Sequence, residues 1–254
     1  MKEYDKYNRE ERAICAHLFR LLHENLDLKE KSPLGQLLNY YKLINQEINL
    51  TNLQYKNIGI FCEVAIIRDA FCDLKPKPDV IKFMDDLTRI IIQQENVNNC
   101  KLYSSLDNII LKNPELTHPK QIRQKATSKG IQLTEEESKV FGAMQGIFNA
   151  KPDLVVTIDN LLLVFEAKFT EKFDKEQLKR TKKITKIWSQ LLYKDFGFIK
   201  PPNCFVIKLG ANKYSPDINW STIYEIVKNT YTENDRTFIA FKASIELLKE
   251  EGLE

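Results

Sequence analysis

Residues 151–168, KPDLVVTIDNLLLVFEAK, constrain the fold more than any other stretch of the chain. Two apolar runs of strand length are separated by Asp159-Asn160, a dipeptide typical of tight turns, so the segment predicts a β-hairpin. Charged residues stand at the open end of that hairpin, with Asp153 before the first run and Glu166 and Lys168 closing the second. The hairpin is therefore expected to carry two carboxylates and an ammonium group at one edge of a sheet.

The segments around the hairpin predict an α/β (α+β) fold, with a central mixed β-sheet flanked by helices. Capping residues followed by apolar positions three and four apart indicate helices before the hairpin. Three of these helices are predicted by their starts, at Asn8-x-x-Glu11, Pro78-Asp79 and Thr134-x-x-Glu137. The others are predicted by their ranges, from Ser32-Pro33 to about Ile44 and over 57–74, 104–112 and 119–129.

The second half mixes strands and helices. GIFNA, residues 146–150, is a candidate extra strand, and Asp174-x-x-Gln177 predicts the start of a long helix. CFVIKLGA, residues 204–211, predicts a strand, and helices are expected over about 217–229 and 235–251. We therefore expect a helical region over 1–131 that precedes an α/β core over 132–254.

Composition excludes several classes of protein. With 38 basic and 35 acidic residues the net charge is +3, too small to indicate a nucleic-acid partner by itself. The five scattered cysteines contain no C-x-x-C pair, which favours free thiols in a reducing cytoplasm. We expect a soluble cytoplasmic protein, because there is no secretory signal and no apolar run of about 20 residues. A Walker loop and a G-x-G-x-x-G motif are also absent, so no nucleotide cofactor is expected.

The charged ends of the hairpin resemble the signature of the PD-(D/E)xK nuclease superfamily. The matching residues are Pro152-Asp153 and Glu166-Ala167-Lys168, and the resemblance covers roughly residues 134–211. It implies a restriction-endonuclease-like core in which Asp153, Glu166 and the Ala167 carbonyl bind Mg²⁺, with Mn²⁺ as a substitute. Such a hard ion prefers oxygen ligands. Lys168 would orient or deprotonate the attacking water.

Accessory residues have two interpretations each. Gln177 resembles a helix glutamine of many such nucleases, and it equally completes the capping box of Asp174. Thr181 stands where some exonuclease branches have tyrosine, which counts against those branches. Glu11 and Glu137 are candidates for an upstream glutamate that family members often add, but for both a capping role is favoured.

A run of basic residues follows the hairpin, and most of it falls on one helix face. Such a stripe is either a solvated helix face or a surface that follows nucleic-acid phosphates, and both interpretations stay open. Its members are Lys172, Lys175, Lys179, Arg180, Lys182, Lys183 and Lys186.

Together these features predict a Mg²⁺-dependent endonuclease that acts on double-stranded DNA, in a type II-like restriction or phage-defence setting. The resemblance further implies a homodimer whose two sites cut two strands. The alternatives are a nuclease for RNA or branched DNA, and a non-catalytic nucleic-acid-binding module on a nuclease-like fold. A buried carboxylate pair favours the enzyme, because a binding module has no need for it.

Overall fold

The computed structural model describes residues 11–24, 26, 31–45, 47, 57–73, 79–97, 119–195 and 200–253. The chain forms two compact units, one of residues 1–63, 152–182 and 203–254, and the other of 64–151 and 183–202. Each unit contains residues from both sides of the predicted boundary between residues 131 and 132, so the two units do not correspond to the two predicted regions.

A mixed five-stranded sheet, counted among the described residues, lies in the first unit and places the protein in the α/β class. The spatial order follows the chain, from β1 to β5. The pairings of β1 with β2 and of β2 with β3 are antiparallel, and those of β3 with β4 and of β4 with β5 are parallel. The strands are β1 Ile58–Cys62, β2 Leu154–Ile158, β3 Leu161–Ala167, β4 Asn203–Gly210 and β5 Ile218–Asn219.

The predicted hairpin is confirmed. Its register runs from Leu154 opposite Phe165 to Ile158 opposite Leu161. Asp159 has φ of 47°, a left-handed conformation that aspartate and asparagine tolerate better than most residues, and the chain reverses there. Every residue of β3 is buried, as expected for an apolar strand with neighbours on both sides.

Two predictions next to the sheet are wrong. Residues 57–74 do not form one helix, because Ile58–Cys62 is a strand and the helix α3 covers only Ile66–Asp73. A short apolar run fits a buried helix or a strand equally well, and here pairing with β2 decides for the strand. GIFNA is not a strand, since it lies at the end of the helix Glu135–Asn149, whose apolar spacing of three and four it continues.

The other helix predictions inside the described residues are confirmed, apart from shifts at their ends. Ser32 caps the second helix by accepting a hydrogen bond from the Gly35 N–H at 3.1 Å. The predicted helix over 104–112 and the capping residue Asn8 lie outside the described residues. The remaining helices are α1 Glu11–His23, α2 Pro33–Ile44, α4 Asp79–Glu95, α5 Pro119–Ser128, α6 Glu135–Asn149, α7 Lys175–Asp195, α8 Trp220–Lys228 and α9 Arg236–Glu250.

The hydrophobic core of the first unit lies on one face of the sheet. Phe165 and the other odd-numbered residues of β3 belong to it, together with residues of α1, α2, α8 and α9. Since side chains alternate along a strand, the even-numbered residues of β3 point to the opposite face. Glu166 is one of these, so the strand buries its apolar side chains in the core and directs its terminal carboxylate away from it.

The second unit is helical in its described part. Helix α6 packs against α3, α4 and α5, and Phe71 of α3 contacts Phe148 edge to face with ring centroids 5.4 Å apart. The end of α7 also belongs to this unit, where Lys183 forms an ion pair with Glu95. Among the described helices none is long and apolar enough to cross a membrane. No disulfide joins the cysteines of the described ranges.

Candidate metal centre

The hairpin register brings the two predicted metal ligands together. Leu154 is opposite Phe165, so continuing the antiparallel ladder by one residue places Asp153 opposite Glu166. Directly opposed residues have Cβ atoms about 5 Å apart and share a face of the sheet. The pairing of β2 with β3 therefore places both carboxylates on the face of the sheet opposite to the core.

Asp153 is held by the backbone of the neighbouring strand. Its Oδ2 accepts a hydrogen bond from the Ala167 N–H at 2.8 Å. Burial raises the pKa of Asp153 to about 7; the Ala167 hydrogen bond opposes this shift, and the Glu166 charge adds to it. In a strand the N–H and C=O of one residue point to the same side, so the Ala167 carbonyl also lies on the Asp153 side of β3.

Glu166 is buried, with 5% of its surface exposed, and helix α7 holds both of its oxygens. The Gln177 side-chain amide donates to Oε1, and the Thr181 hydroxyl donates to Oε2 at 2.9 Å. Burial raises the pKa of Glu166, and the hydrogen bond from Thr181 opposes that rise. An ionised carboxylate has about four lone-pair sites, so acceptor capacity for a cation remains on both oxygens.

Lys168 is fixed at its side chain and at its backbone. Its Nζ donates to Oε2 of Glu11 at 3.1 Å. Its N–H donates to the Leu209 carbonyl at 2.8 Å, and its carbonyl accepts from the Trp220 indole N–H at 2.9 Å. Burial lowers the pKa of Lys168, but the charge and hydrogen bond of Glu11, together with the charges of Glu166 and Asp153, outweigh it, so the pKa lies above its ordinary value. The ammonium form is therefore the stable one.

The structure separates the two upstream glutamates. Glu11 begins α1, and its carboxylate contacts Lys168. Glu137 belongs to the second unit, where its carboxylate accepts from the Thr134 N–H at 2.9 Å and Thr134 Oγ1 accepts from the Glu137 N–H at 3.2 Å. That is a complete capping box, as expected for Glu137. Glu11 contacts Lys168 inside the site, while Asn8, its partner in the predicted capping box, lies outside the described residues.

Gln177 likewise serves the site. Asp174 caps α7 through Oδ1, which accepts from the N–H groups of Glu176 at 2.7 Å and Gln177 at 3.1 Å. The reciprocal half of a capping box would direct the Gln177 side chain back to Asp174. Instead, the side chain donates to Glu166, which favours the first of the two interpretations of this residue.

The basic stripe of α7 lies on the face of the helix opposite to the site. At 100° per residue, Lys175, Lys179, Lys182 and Lys186 are centred roughly 150° from the direction shared by Gln177 and Thr181. All four lysines are exposed. Lys183 differs from them, because it is half-buried and paired with Glu95. The lysine stripe and the two residues that contact Glu166, Gln177 and Thr181, therefore lie on opposite faces of α7.

The donor set fits a hard divalent ion better than zinc. Within the described ranges, no group of three or more His, Cys, Asp or Glu side chains could hold a metal ion. Zinc sites usually need three or four such protein ligands. Mg²⁺ is usually bound through one or two carboxylates, with waters and substrate phosphates completing its shell. Asp153, Glu166 and the Ala167 carbonyl match that requirement.

Comparison with known proteins adds no relative. No family model, no curated protein and no solved structure matches the chain. The resemblance of the 152–168 motif to the PD-(D/E)xK superfamily therefore stays a prediction, and any functional assignment depends on the residues of the site.

Sequence reasoning missed two contributors to the site. Thr181 counted only as a departure from a tyrosine position, and Trp220 gave no signal because its role is a single hydrogen bond to a carbonyl. The spacing of four between Gln177 and Thr181, which places both on one helix face, was the signal that could have identified Thr181.

Proposed function

We propose that this chain is a Mg²⁺-dependent endonuclease that hydrolyses phosphodiester bonds in double-stranded DNA, on a restriction-endonuclease-like core. The observation that carries the proposal is the convergence of Asp153, Glu166 and Lys168 at one edge of the sheet, where the two carboxylates are opposed, Glu166 being buried and Asp153 partly buried. Buried carboxylates without paired cations destabilise a fold, so a chain that keeps two of them side by side has a use for them.

Each site residue has a defined task in this proposal. Asp153 and Glu166 hold the ion, with the Ala167 carbonyl beside them. When bound, Mg²⁺ supplies positive charge that stabilises the developing phosphate charge and lowers the pKa of a bound water. Asp153 is fixed by a backbone N–H and Glu166 by two side chains of α7, so the ligands are held in position before an ion arrives.

Lys168 is assigned to orientation and charge stabilisation rather than to proton removal. Its pKa lies above the ordinary lysine value because Glu11 accepts a hydrogen bond from its ammonium group. An ammonium has three donors, so two remain for the attacking water and a phosphate oxygen while the third contacts Glu11. Of the two roles that the motif leaves open for Lys168, we therefore propose that it orients the attacking water and does not deprotonate it.

Duplex DNA is the proposed substrate, and the exposed lysines of α7 provide charge for its phosphates. Because this stripe faces away from the carboxylate pair, it would contact a duplex segment other than the one being cut. A second copy of the chain would supply the second site for the other strand. Restriction or phage defence is the proposed setting.

The test is cleavage of plasmid and linear duplex DNA with Mg²⁺ or Mn²⁺, beside EDTA. The chain offers a matched control in another Pro-Asp pair, Pro216-Asp217, where Asp217 Oδ2 also accepts a hydrogen bond from a backbone N–H, that of Lys208, at 2.8 Å. We expect metal-dependent cutting that Asp153→Asn abolishes and Asp217→Asn retains.

Equal activity in the wild type and Asp153→Asn would contradict the proposed site. If duplex DNA stays intact while RNA or branched DNA is cut, the proposed catalytic site is retained and the proposed substrate, duplex DNA, is wrong. If the chain binds nucleic acid equally well with and without EDTA and cuts no substrate, it is a nucleic-acid-binding module rather than an enzyme.

A further inference from the structure

The contact between helix α7 and Glu166 uses a residue type that the helix itself does not favour. Thr181 is β-branched and lies in the interior of α7, where alanine or a straight-chain residue gives a more stable helix. A threonine in such a position needs a place for its hydroxyl group. Here the hydroxyl donates to Oε2 of Glu166 at 2.9 Å.

Thr181 is also polar on a helix face of α7 that becomes apolar further along the helix. Positions 177, 181, 184 and 188 follow one another at spacings of three and four and therefore share a face. Ile184 and Trp188 continue it as apolar residues, whereas Gln177 and Thr181 are polar. The change to polar residues coincides with the two positions that contact Glu166.

The two donors act on different atoms of the same carboxylate. Gln177 donates to Oε1 and Thr181 to Oε2, so the carboxylate plane is fixed at both ends. With one donor alone, the group could still rotate about the terminal bond of the side chain, whose torsional minimum is broad. Two donors one helical turn apart on a rigid helix remove that freedom.

We infer that Thr181 is a positioning residue, which together with Gln177 sets the orientation of Glu166 and thereby the affinity and selectivity of the site for Mg²⁺. This inference rests on the proposed function. Mg²⁺ demands near-ideal octahedral geometry, whereas Ca²⁺ accepts varied geometry and a larger number of ligands. A Glu166 that rotates more freely therefore costs Mg²⁺ binding more than Ca²⁺ binding.

The test compares Thr181→Val, which keeps the shape and removes the hydroxyl, with Thr181→Ser, which keeps the hydroxyl. Titration calorimetry of the full chain with Mg²⁺ and with Ca²⁺ gives the two dissociation constants. Loss of a residue that orients a metal ligand typically weakens binding by 10- to 100-fold. We expect Thr181→Val to weaken Mg²⁺ binding about 10-fold and Ca²⁺ binding clearly less, and Thr181→Ser to stay near the wild type.

Thr185→Val is the matched control, because Thr185 lies one turn further along α7 and is buried. It should leave both dissociation constants unchanged even if it lowers the melting temperature, which separates metal binding from helix stability. A folded Thr181→Val protein with wild-type Mg²⁺ affinity would overturn this inference alone. A wild type that binds no divalent ion would overturn the proposed function, and this inference with it.

Discussion

Replacing Asp153 by asparagine should stabilise the metal-free protein while it abolishes metal binding. Asparagine is nearly isosteric, and its Oδ1 can accept the hydrogen bond that the Ala167 N–H now donates to Asp153 at 2.8 Å. What it removes is the negative charge. That charge is unfavourable in the folded state, because burial raises the pKa of Asp153 from its ordinary value of 3.8 to about 7.

The size of the effect follows from the two pKa values. At pH 8 the carboxylate is ionised in both folded and unfolded chains, and the difference between the two pKa values, about 7 and 3.8, corresponds to about 4 kcal/mol. At pH 5 the folded protein has Asp153 protonated, and the cost is only about 1.6 kcal/mol. The asparagine amide has its own burial cost, but that cost does not titrate. The difference between the two pH values, about 2–3 kcal/mol, is therefore independent of it.

The direction of the pH dependence is fixed by the sign of the shift. A carboxyl group whose pKa is raised on folding stabilises the protein fully below its unfolded value. That contribution is lost as the pH rises through the folded value. In EDTA the wild type should therefore lose stability between about pH 4 and pH 7, the interval given by the Asp153 pKa, and Asp153→Asn should lose less.

Urea denaturation, followed by tryptophan fluorescence at pH 5 and pH 8 in EDTA, measures these free energies of unfolding. We expect the stability advantage of Asp153→Asn over the wild type to grow from pH 5 to pH 8. Adding Mg²⁺ at pH 8 should then stabilise the wild type and leave Asp153→Asn unchanged, since a ligand that binds only the folded state shifts the equilibrium towards it. An advantage that is constant or shrinks with pH would refute this reasoning.

Three further substitutions test single contacts. Glu11→Gln removes the charge that raises the pKa of Lys168, so the alkaline limb of the cleavage pH profile should move to lower pH; an unmoved limb would show that Lys168 does not need its proton. Trp220→Phe leaves the buried Lys168 carbonyl without the indole donor and should cost about 1–3 kcal/mol in urea denaturation, with cleavage reduced as well. Glu137→Ala breaks a capping box and should cost about 1 kcal/mol while the cleavage rate of the folded protein stays at the wild-type level, and a large loss of rate would return Glu137 to the site.

The part of the site that was predictable is the part built by local structure. Asp153 and Glu166 are 13 positions apart, and a two-residue turn between strands of known period is enough to oppose them. Lys168 follows from the same alternation, two residues beyond Glu166. These inferences need only the backbone geometry of one hairpin, which its own sequence encodes.

The partners of these residues come from elsewhere in the chain and could not be read in the same way. Glu11 reaches Lys168 across 157 positions, and Trp220 reaches the same residue across 52. Strand β1 had an ambiguous sequence that its pairing with β2 resolved. In each case, the sequence shows a residue compatible with several environments, and the packing of a distant element selects one.

The chain by itself thus determined the hairpin, most of the helices and the two carboxylates with their lysine, because turn chemistry and hydrophobic periodicity act over a few residues. Tertiary structure alone decided that Glu11 faces Lys168, that Gln177 and Thr181 hold Glu166, and that the lysine stripe of α7 lies on the other side of that helix from the site. Those outcomes depend on which helix packs where, and that is set by the summed burial of many side chains rather than by any one local pattern.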